Sequence, residues 1–314
     1  MTQLPTSQHF SLHELSEGVY AAVHAPGGWA ICNAGIIDTG DRTLIFDAFT
    51  SPRATRDLLA AAKALTGRPA HIVMNSHYHN DHIWGNQAVP LDIDIISTVR
   101  TRDLMVVEGA REEQSYRENA TQRLSETRTR LEHASAESEI VDAQLFVDNY
   151  EAIVDTLPML PARLPNILIQ DVLEFTGPKR RARFIPSSGH TASDAILHLP
   201  DDDVLFLGDL LFVHAHPYLG DGHPDELCQA LALIKELNAG ILVPGHGPLG
   251  RNEDVDAMRA YIDGIQVSVR QAIRDGVTWE ELTTRPIPPD YRTWILADFY
   301  AENIRFFYQL NSTA

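Results

Sequence analysis

The sequence predicts an α+β fold in which two β-rich halves pack sheet on sheet with helices outside them. Three observations point there. Short β-type runs gather in two regions, about residues 18–98 and 167–246, and each region is followed by a stretch of helical pattern. Histidines and aspartates stand at the ends of strand runs in both regions, flanked by glycine in the second, where the loops of a sheet edge carry function. A chain of 314 residues with 44% hydrophobic content can fill a large core. The expectation is one domain, 1–314, with a helical insertion at about 100–165 and a helical tail at about 252–314.

In order along the chain, "GVYAAVHAP" and "AGIIDTGDRTLIFDAF" read as strands, the second a hairpin turning at Gly40. "SPRATRDLLAAAKALTG" reads as a helix, with Ser51 as N-cap, Pro52 at its first position and Gly67 as its stop. "AHIVMN" and "DIDIIST" are further strands. From about 100 the pattern is helical and charged until the prolines of "LPMLPARLP" break it. Strands return in "ILIQDVLEF", "ARFIPSSGH" and "DAILHLPDDDVLFLGDLLF"; the helix "HPDELCQALALIKELNAG" and the strand "ILVPGH" come next. The tail is mostly helical.

Composition excludes several classes of function. Twenty-five basic against 43 acidic residues give a formal charge of −18, which repels a polyphosphate backbone. The one short basic cluster, "KRRAR" at 179–183, is expected to be a solvated turn leading into a strand. Nucleic acid is therefore not an expected partner. No apolar run is long enough to span a bilayer and the N-terminus lacks a signal-peptide pattern, so no membrane association and a cytoplasmic location are expected. Cys32 and Cys228 form no C-x-x-C pair and are expected to be buried or bystander thiols.

The chemistry lies in the histidines. His9, His13, His24, His71, His133 and His198 have no partner at ligand spacing and read as ordinary hydrogen-bonded residues. "HYHNDH", residues 77–82, is different. On an extended loop His77 and His79 share a face, and two imidazoles on one face can reach one metal. Asp81 and His82 then fall toward a neighbouring position. Three other strand ends supply His190 in "SSGHTASD", Asp209 in "LFLGDLLF" and His246 in "LVPGHGPLG". Seven ligand-type residues from four strand ends make the inventory of a two-metal site.

These motifs, in this order and at these distances, resemble the metallo-β-lactamase superfamily over roughly residues 18–250. The resemblance implies a four-layer αββα sandwich with the metals in a cleft at one edge of the sheets. It implies that His77, His79 and His190 hold one metal, that Asp81, His82 and His246 hold the other, and that Asp209 bridges them. Asp47 matches a position that orients a ligand imidazole.

The reaction this resemblance implies is hydrolysis. A hydroxide shared by two metals would attack a small ester, lactone, amide (lactams included) or thioester, with Asp81 orienting the nucleophile. Zinc is the expected metal, two ions per chain, with iron or manganese as alternatives. The competing expectations are an iron-dependent oxidoreductase of the persulfide dioxygenase type and a phosphodiesterase or nuclease. Asp209 stands where zinc β-lactamases of the cysteine type carry a thiolate, and Phe212 where lactonases often carry tyrosine. The segment "FVHAHPYLGDGH", 212–223, should overhang the cleft, with His216 and Tyr218 as the first candidate substrate contacts ahead of His214 and His223. Apolar stripes on the insertion and the tail are expected to pack on their own domain, with a homodimer interface or a substrate lid as the alternatives.

Overall fold

A computed structural model describes residues 4–312. The strands are β1 (Phe10–Ser16), β2 (Val19–His24), β3 (Ala34–Asp38), β4 (Thr43–Phe46), β5 (Ile72–Met74), β6 (Asp94–Thr98), β7 (Ile167–Ile169), β8 (Leu173–Thr176), β9 (Arg181–Ser187), β10 (Asp194–Leu199), β11 (Val204–Phe212) and β12 (Ile241–His246). The helices are α1 (Pro52–Thr66), α2 (Asn80–Ile83), α3 (Val99–His133), α4 (Glu137–Thr156), α5 (Pro224–Leu237), α6 (Asn252–Arg274), α7 (Trp279–Thr283) and α8 (Asp298–Ser312).

Strands β1 to β7 form one sheet in sequence order, and the other runs β12-β11-β10-β9-β8. In the first sheet β1 to β4 are antiparallel neighbours, whereas β4, β5, β6 and β7 are parallel. In the second only β11 and β12 are parallel. Ile37, Leu44, Phe46, Met74 and Ile96 of the first sheet meet Phe184, Leu197, Phe206 and Val243 of the second in one core. The outer face of the first sheet, with Ile36, Ile45, Val73 and Ile95, is covered by Ala54, Leu58 and Ala62 of α1. Leu205, Leu207 and Leu242 on the outer face of the second pack beneath α5, α6 and α8. These layers make the αββα sandwich.

Local chemistry sets several element ends. Ser51 accepts a hydrogen bond from the Arg53 amide, Pro52 sits at the first turn, and Gly67 closes α1 at φ 73°. The helical insertion is an antiparallel pair, α3 and α4, with a break at 134–136. Glu139 accepts from the amides of Ser135 and Ala136 at 3.2 Å each and so starts the second helix. Tyr78, Trp84, Leu104, Met105, Ala120 and Ile153 form the cluster that seats the pair beside the "HYHNDH" loop. The apolar stripes of the tail are buried in the molecule's own core, through Tyr261, Ile265, Ile304 and Phe307.

The basic turn differs from its expected solvated state. Arg180 is buried; it pairs with Asp202 at 2.8 Å and donates to the carbonyls of Asp38 and Glu17, while Lys179 pairs with Asp38 at 2.8 Å. Asp38 ends β3 and Arg180 precedes β9, so this turn ties one sheet to the other. Buried ion pairs must carry several hydrogen bonds to offset lost hydration. No helix among the described residues is long and apolar enough to cross a membrane.

Candidate metal centre

The parallel strands aim their C-terminal ends at one edge of the sandwich. β4 ends before Asp47, β5 before Ser76 and His77, and β12 at His246; β11 carries Asp209, and the turn after β9 brings His190. Close approach requires glycine here: a Cβ on Gly245 would lie 1.9 Å from Asp209 Oδ1. Gly208, at φ 51°, turns the backbone just before Asp209.

The seven side chains converge as two groups of donor atoms. His77, His79, His190 and Asp209 form one, and Asp81, His82 and His246 the other; within each group the donors lie within 4.8 Å of one another. In the first, His79 Nδ1 is 3.1 Å from His77 Nε2 and 3.0 Å from His190 Nε2. Asp209 Oδ2 is 3.2 Å from His190 Nε2. Donors around a tetrahedral ion with bonds of about 2.05 Å sit about 3.3 Å apart, so the spacing suits a shared cation. In the second group, His246 Nε2 is 3.1 Å from Asp81 Oδ2, which is 3.6 Å from His82 Nε2. Asp209 joins the groups: Oδ1 faces His82 Nε2 at 3.0 Å, and Oδ2 faces His246 Nε2 at 3.4 Å.

Against that geometry, the sequence profile of the metallo-beta-lactamase superfamily matches residues 27–246, which takes in all seven residues. The chain belongs to the metallo-beta-lactamase superfamily. A curated relative, "Beta-lactamase-like protein 2 homolog" of Caenorhabditis elegans, is 22% identical over 291 residues, covering 90% of this chain and 80% of that protein. Among solved structures, a metallo-beta-lactamase from Pontibacter korlensis superposes with a TM-score of 0.55 at 16% identity, covering 80% of this chain and 97% of that one. The stereoselective inverting sec-alkylsulfatase Pisa1 from Pseudomonas sp. superposes with a TM-score of 0.68 at 16% identity, covering 96% of this chain; the chain spans 50% of that enzyme's length. At such identities the likeness establishes the superfamily's fold.

Whether this member's residues fit metal ions is decided by its own hydrogen bonds. Asp47 Oδ2 accepts from His82 Nδ1 at 2.8 Å, which turns Nε2 toward the cage. There it faces a carboxylate oxygen, and both His82 Nε2 and Asp209 Oδ1 are buried without a hydrogen-bond partner. Asp221 accepts from His79 Nε2 at 3.1 Å, which turns His79 Nδ1 toward two other imidazoles. Imidazole nitrogens and carboxylate oxygens so close in a dry site need protons or a cation between them, and one divalent cation in each group satisfies its donors at once. The donor set fits, and superfamily folds generally hold divalent metals.

The electrostatics show how strongly the acids draw positive charge into the site. Burial opposes it, yet Cys32, Asp209, Asp81 and Asp47 raise His82 well above its usual range, and Asp221 with Glu112 raises His79. Burial pushes His77 well down and His190 down to about 3, leaving both imidazoles in the neutral, ligating form. Burial also opposes charge on His246, but Asp209 and Asp81 outweigh it and raise His246 to about 9. Although burial resists its ionisation, Asp209 is held well below the carboxylate range by His246, His82 and His190. The acids demand positive charge at their centre.

Supporting groups lock the donor side chains in place. Asp47, fully buried at φ 61°, accepts from the Ser76 amide at 2.7 Å and the Ser76 hydroxyl at 2.8 Å besides His82. Asp194 accepts from the amides of His190 and Thr191 and from the Thr191 hydroxyl, clamping the loop that presents His190. Sequence reasoning missed Asp194 and Asp221, whose one signal was proximity to glycine-flanked motifs. Cys32 is buried, one of the two states expected of it, and its thiol donates to the Asp81 carbonyl at 3.0 Å.

The cage opens into a cleft of about 960 Å³, roofed by α3 and α4 and flanked by α8; Asp81, Asp209 and His246 form its floor. Tyr218 lines it, its ring 5.9 Å from that of His79 and 5.4 Å from that of Phe299. His216 does not line it. The expected substrate contact is fully buried, with Nδ1 3.0 Å from the Tyr261 hydroxyl and its ring against Trp294 and Tyr300. The loop after β11 turns His216 into the core because Ala215 forms a bridge with Ile295 and fixes the backbone there. His214 is largely exposed, 3.9 Å from Asp254, and His223 is exposed beside α5; neither lines the cleft.

Proposed function

We propose that the protein is a dinuclear metal-dependent hydrolase, acting on a small ester, lactone, amide (lactams included) or thioester. The observation that supports this most is the pair of orphaned, mutually facing atoms, His82 Nε2 and Asp209 Oδ1, at the junction of two donor groups. When bound, two divalent ions supply Lewis acidity that polarises a substrate oxygen and makes a water acidic enough to ionise near neutral pH. His77, His79 and His190 would hold one ion and Asp81, His82 and His246 the other, with Asp209 shared.

The chain's own groups do the rest. Asp81 has a partly exposed carboxylate at the floor of the cleft, where it orients the attacking water and accepts its proton. Asp47 and Asp221 keep His82 and His79 in the tautomer that ligates. Burial raises the Tyr218 phenol above its usual range, so it keeps its proton and can donate to an oxygen that gains charge. Zinc suits a set of imidazoles and carboxylates with no thiolate, and iron or manganese is the alternative occupant.

The test joins elemental analysis to a substrate panel: a cephalosporin, an acyl lactone, a glutathione thioester, an aryl phosphodiester and, given the sulfatase fold neighbour, a secondary alkyl sulfate. About two metals per chain are expected, as a two-metal site requires, with turnover of a carbonyl substrate that chelation abolishes. Protein that stays metal-free under zinc supply, or that turns over only the phosphodiester or sulfate, contradicts the proposal.

A further inference from the structure

The cleft extends far beyond the cage. Its roof is one face of α3: Glu112, Tyr116, Arg123, Thr127 and Arg130 all line it. Residues 112 and 123 are eleven apart, about three helical turns, so they share a face and stand about 16 Å apart at 1.5 Å per residue. Glu112 lies at the cage end, where its carboxyl feels His79 and Asp81. The space between has an aromatic wall of Tyr116, Tyr150, Phe146 and Phe299.

The cations along this roof differ in what they already hold. Arg111 is paired with both oxygens of Glu108, and Arg130 with Asp142 and Asp298. Arg123 donates only to the Tyr150 hydroxyl, at 3.2 Å, and among the described residues no carboxylate lies within ion-pair distance of it. Its remaining donors form a planar fork suited to a carboxylate. Glu126, nearby on the same helix, is occupied by the Gln122 amide at 2.8 Å. Glu302 of α8 also lines this end and acts on Arg123 from a distance.

We propose that Arg123 is a distal anchor for substrates that carry a terminal carboxylate, held at the far end of the cleft while the scissile carbonyl lies over the cage. This rests on the hydrolase proposed above and adds the substrate class: elongated, apolar in the middle, and anionic at the end remote from the bond that is cut. The aromatic wall takes the apolar body, and the three-turn interval along α3 sets its length. Glu302 repels the anion and tunes the affinity.

The experiment uses the metal-loaded protein with aryl hemi-esters of straight-chain dicarboxylic acids of increasing length, against the same esters ending in methyl. A carboxylate-ended methyl ketone, which cannot be hydrolysed, is titrated by calorimetry in parallel. Arg123→Gln is expected to raise KM for the longer carboxylate-ended esters about tenfold, the scale of one charge-assisted bond to an exposed guanidinium, with kcat and the methyl-ended esters unmoved. Glu302→Gln is expected to lower that KM, a change that a merely structural Arg123 would not produce. The ketone should bind about tenfold more weakly to Arg123→Gln. Equal effects of Arg123→Gln on both ester series, or unchanged ketone binding, overturn the anchor. Arg123-dependent ketone binding with no ester turned over leaves the anchor standing and removes the ester hydrolase; turnover indifferent to Arg123 does the reverse.

Discussion

At the scale of single residues, what determines a role is which atoms face each other. His82 shows this: with Nδ1 tied to Asp47, its Nε2 is turned to the cage, 3.0 Å from Asp209 Oδ1. Replacing Asp47 by Asn keeps the size but places an amide where a carboxylate accepted three hydrogen bonds. Loss of such an orienting partner typically weakens metal affinity about 10–100-fold, and chelator competition on Asp47→Asn should return a value in that range for the His82 side of the cage. His216 has a different fate. Buried beside Tyr261 and pushed down to about 4 by that burial, it is neutral in the folded protein and titrates near 6.5 once unfolded. Its contribution to stability is therefore complete above pH 6.5 and is lost as pH falls toward 4. A shift of that size corresponds to about 3 kcal/mol. Denaturant melts between those pH values should show the wild type losing up to about that much more stability than His216→Phe; parallel curves would remove the assignment. The two donor groups were legible in the sequence because ligand-type residues crowd into six positions and recur at glycine-flanked strand ends. Asp194 and Asp221 were not, because an acid in a loop reveals nothing until the imidazole or amide it accepts from is known. His216 was misplaced because no periodicity governs an irregular loop, so inward and outward positions look alike.

At the scale of elements, the α3–α4 hairpin turns a general cage into a particular cleft. It is seated on the ligand loop through Trp84, whose ring meets Tyr116 of α3 edge-on with centroids 5.7 Å apart. Trp84 is 2% exposed, and emptying so large a buried volume costs about 3–5 kcal/mol. Trp84→Ala should therefore melt earlier and, with its ring contact to Tyr116 of the hairpin gone, be cut faster by protease within 99–156. Cleavage there no faster than elsewhere in the chain would show that the hairpin is held by other contacts. Helix α1 was readable to the residue because Ser51, Pro52 and Gly67 mark its ends chemically. The break between α3 and α4 was not, because no glycine or proline marks it; Glu139 reaching back to two amides sets it instead.

At the scale of the whole molecule, two sheets with covered outer faces bring four strand ends to one edge, and the order of motifs along the chain already implied that. The tie between the sheets was hidden, since "KRRAR" has the composition of a solvated turn and only the fold sets Arg180 against Asp202 and two carbonyls. This architecture holds Asp209 between the two donor groups, with Oδ1 facing His82 and Oδ2 facing both His190 and His246, where the proposed centre would share it between two cations. Anomalous diffraction from crystals grown with zinc addresses that directly. Two peaks about 3.5–4 Å apart, as in two-metal sites, one among His77, His79 and His190 and one among Asp81, His82 and His246, with Asp209 between them, are expected. A single peak, or none within reach of Asp209, would contradict it.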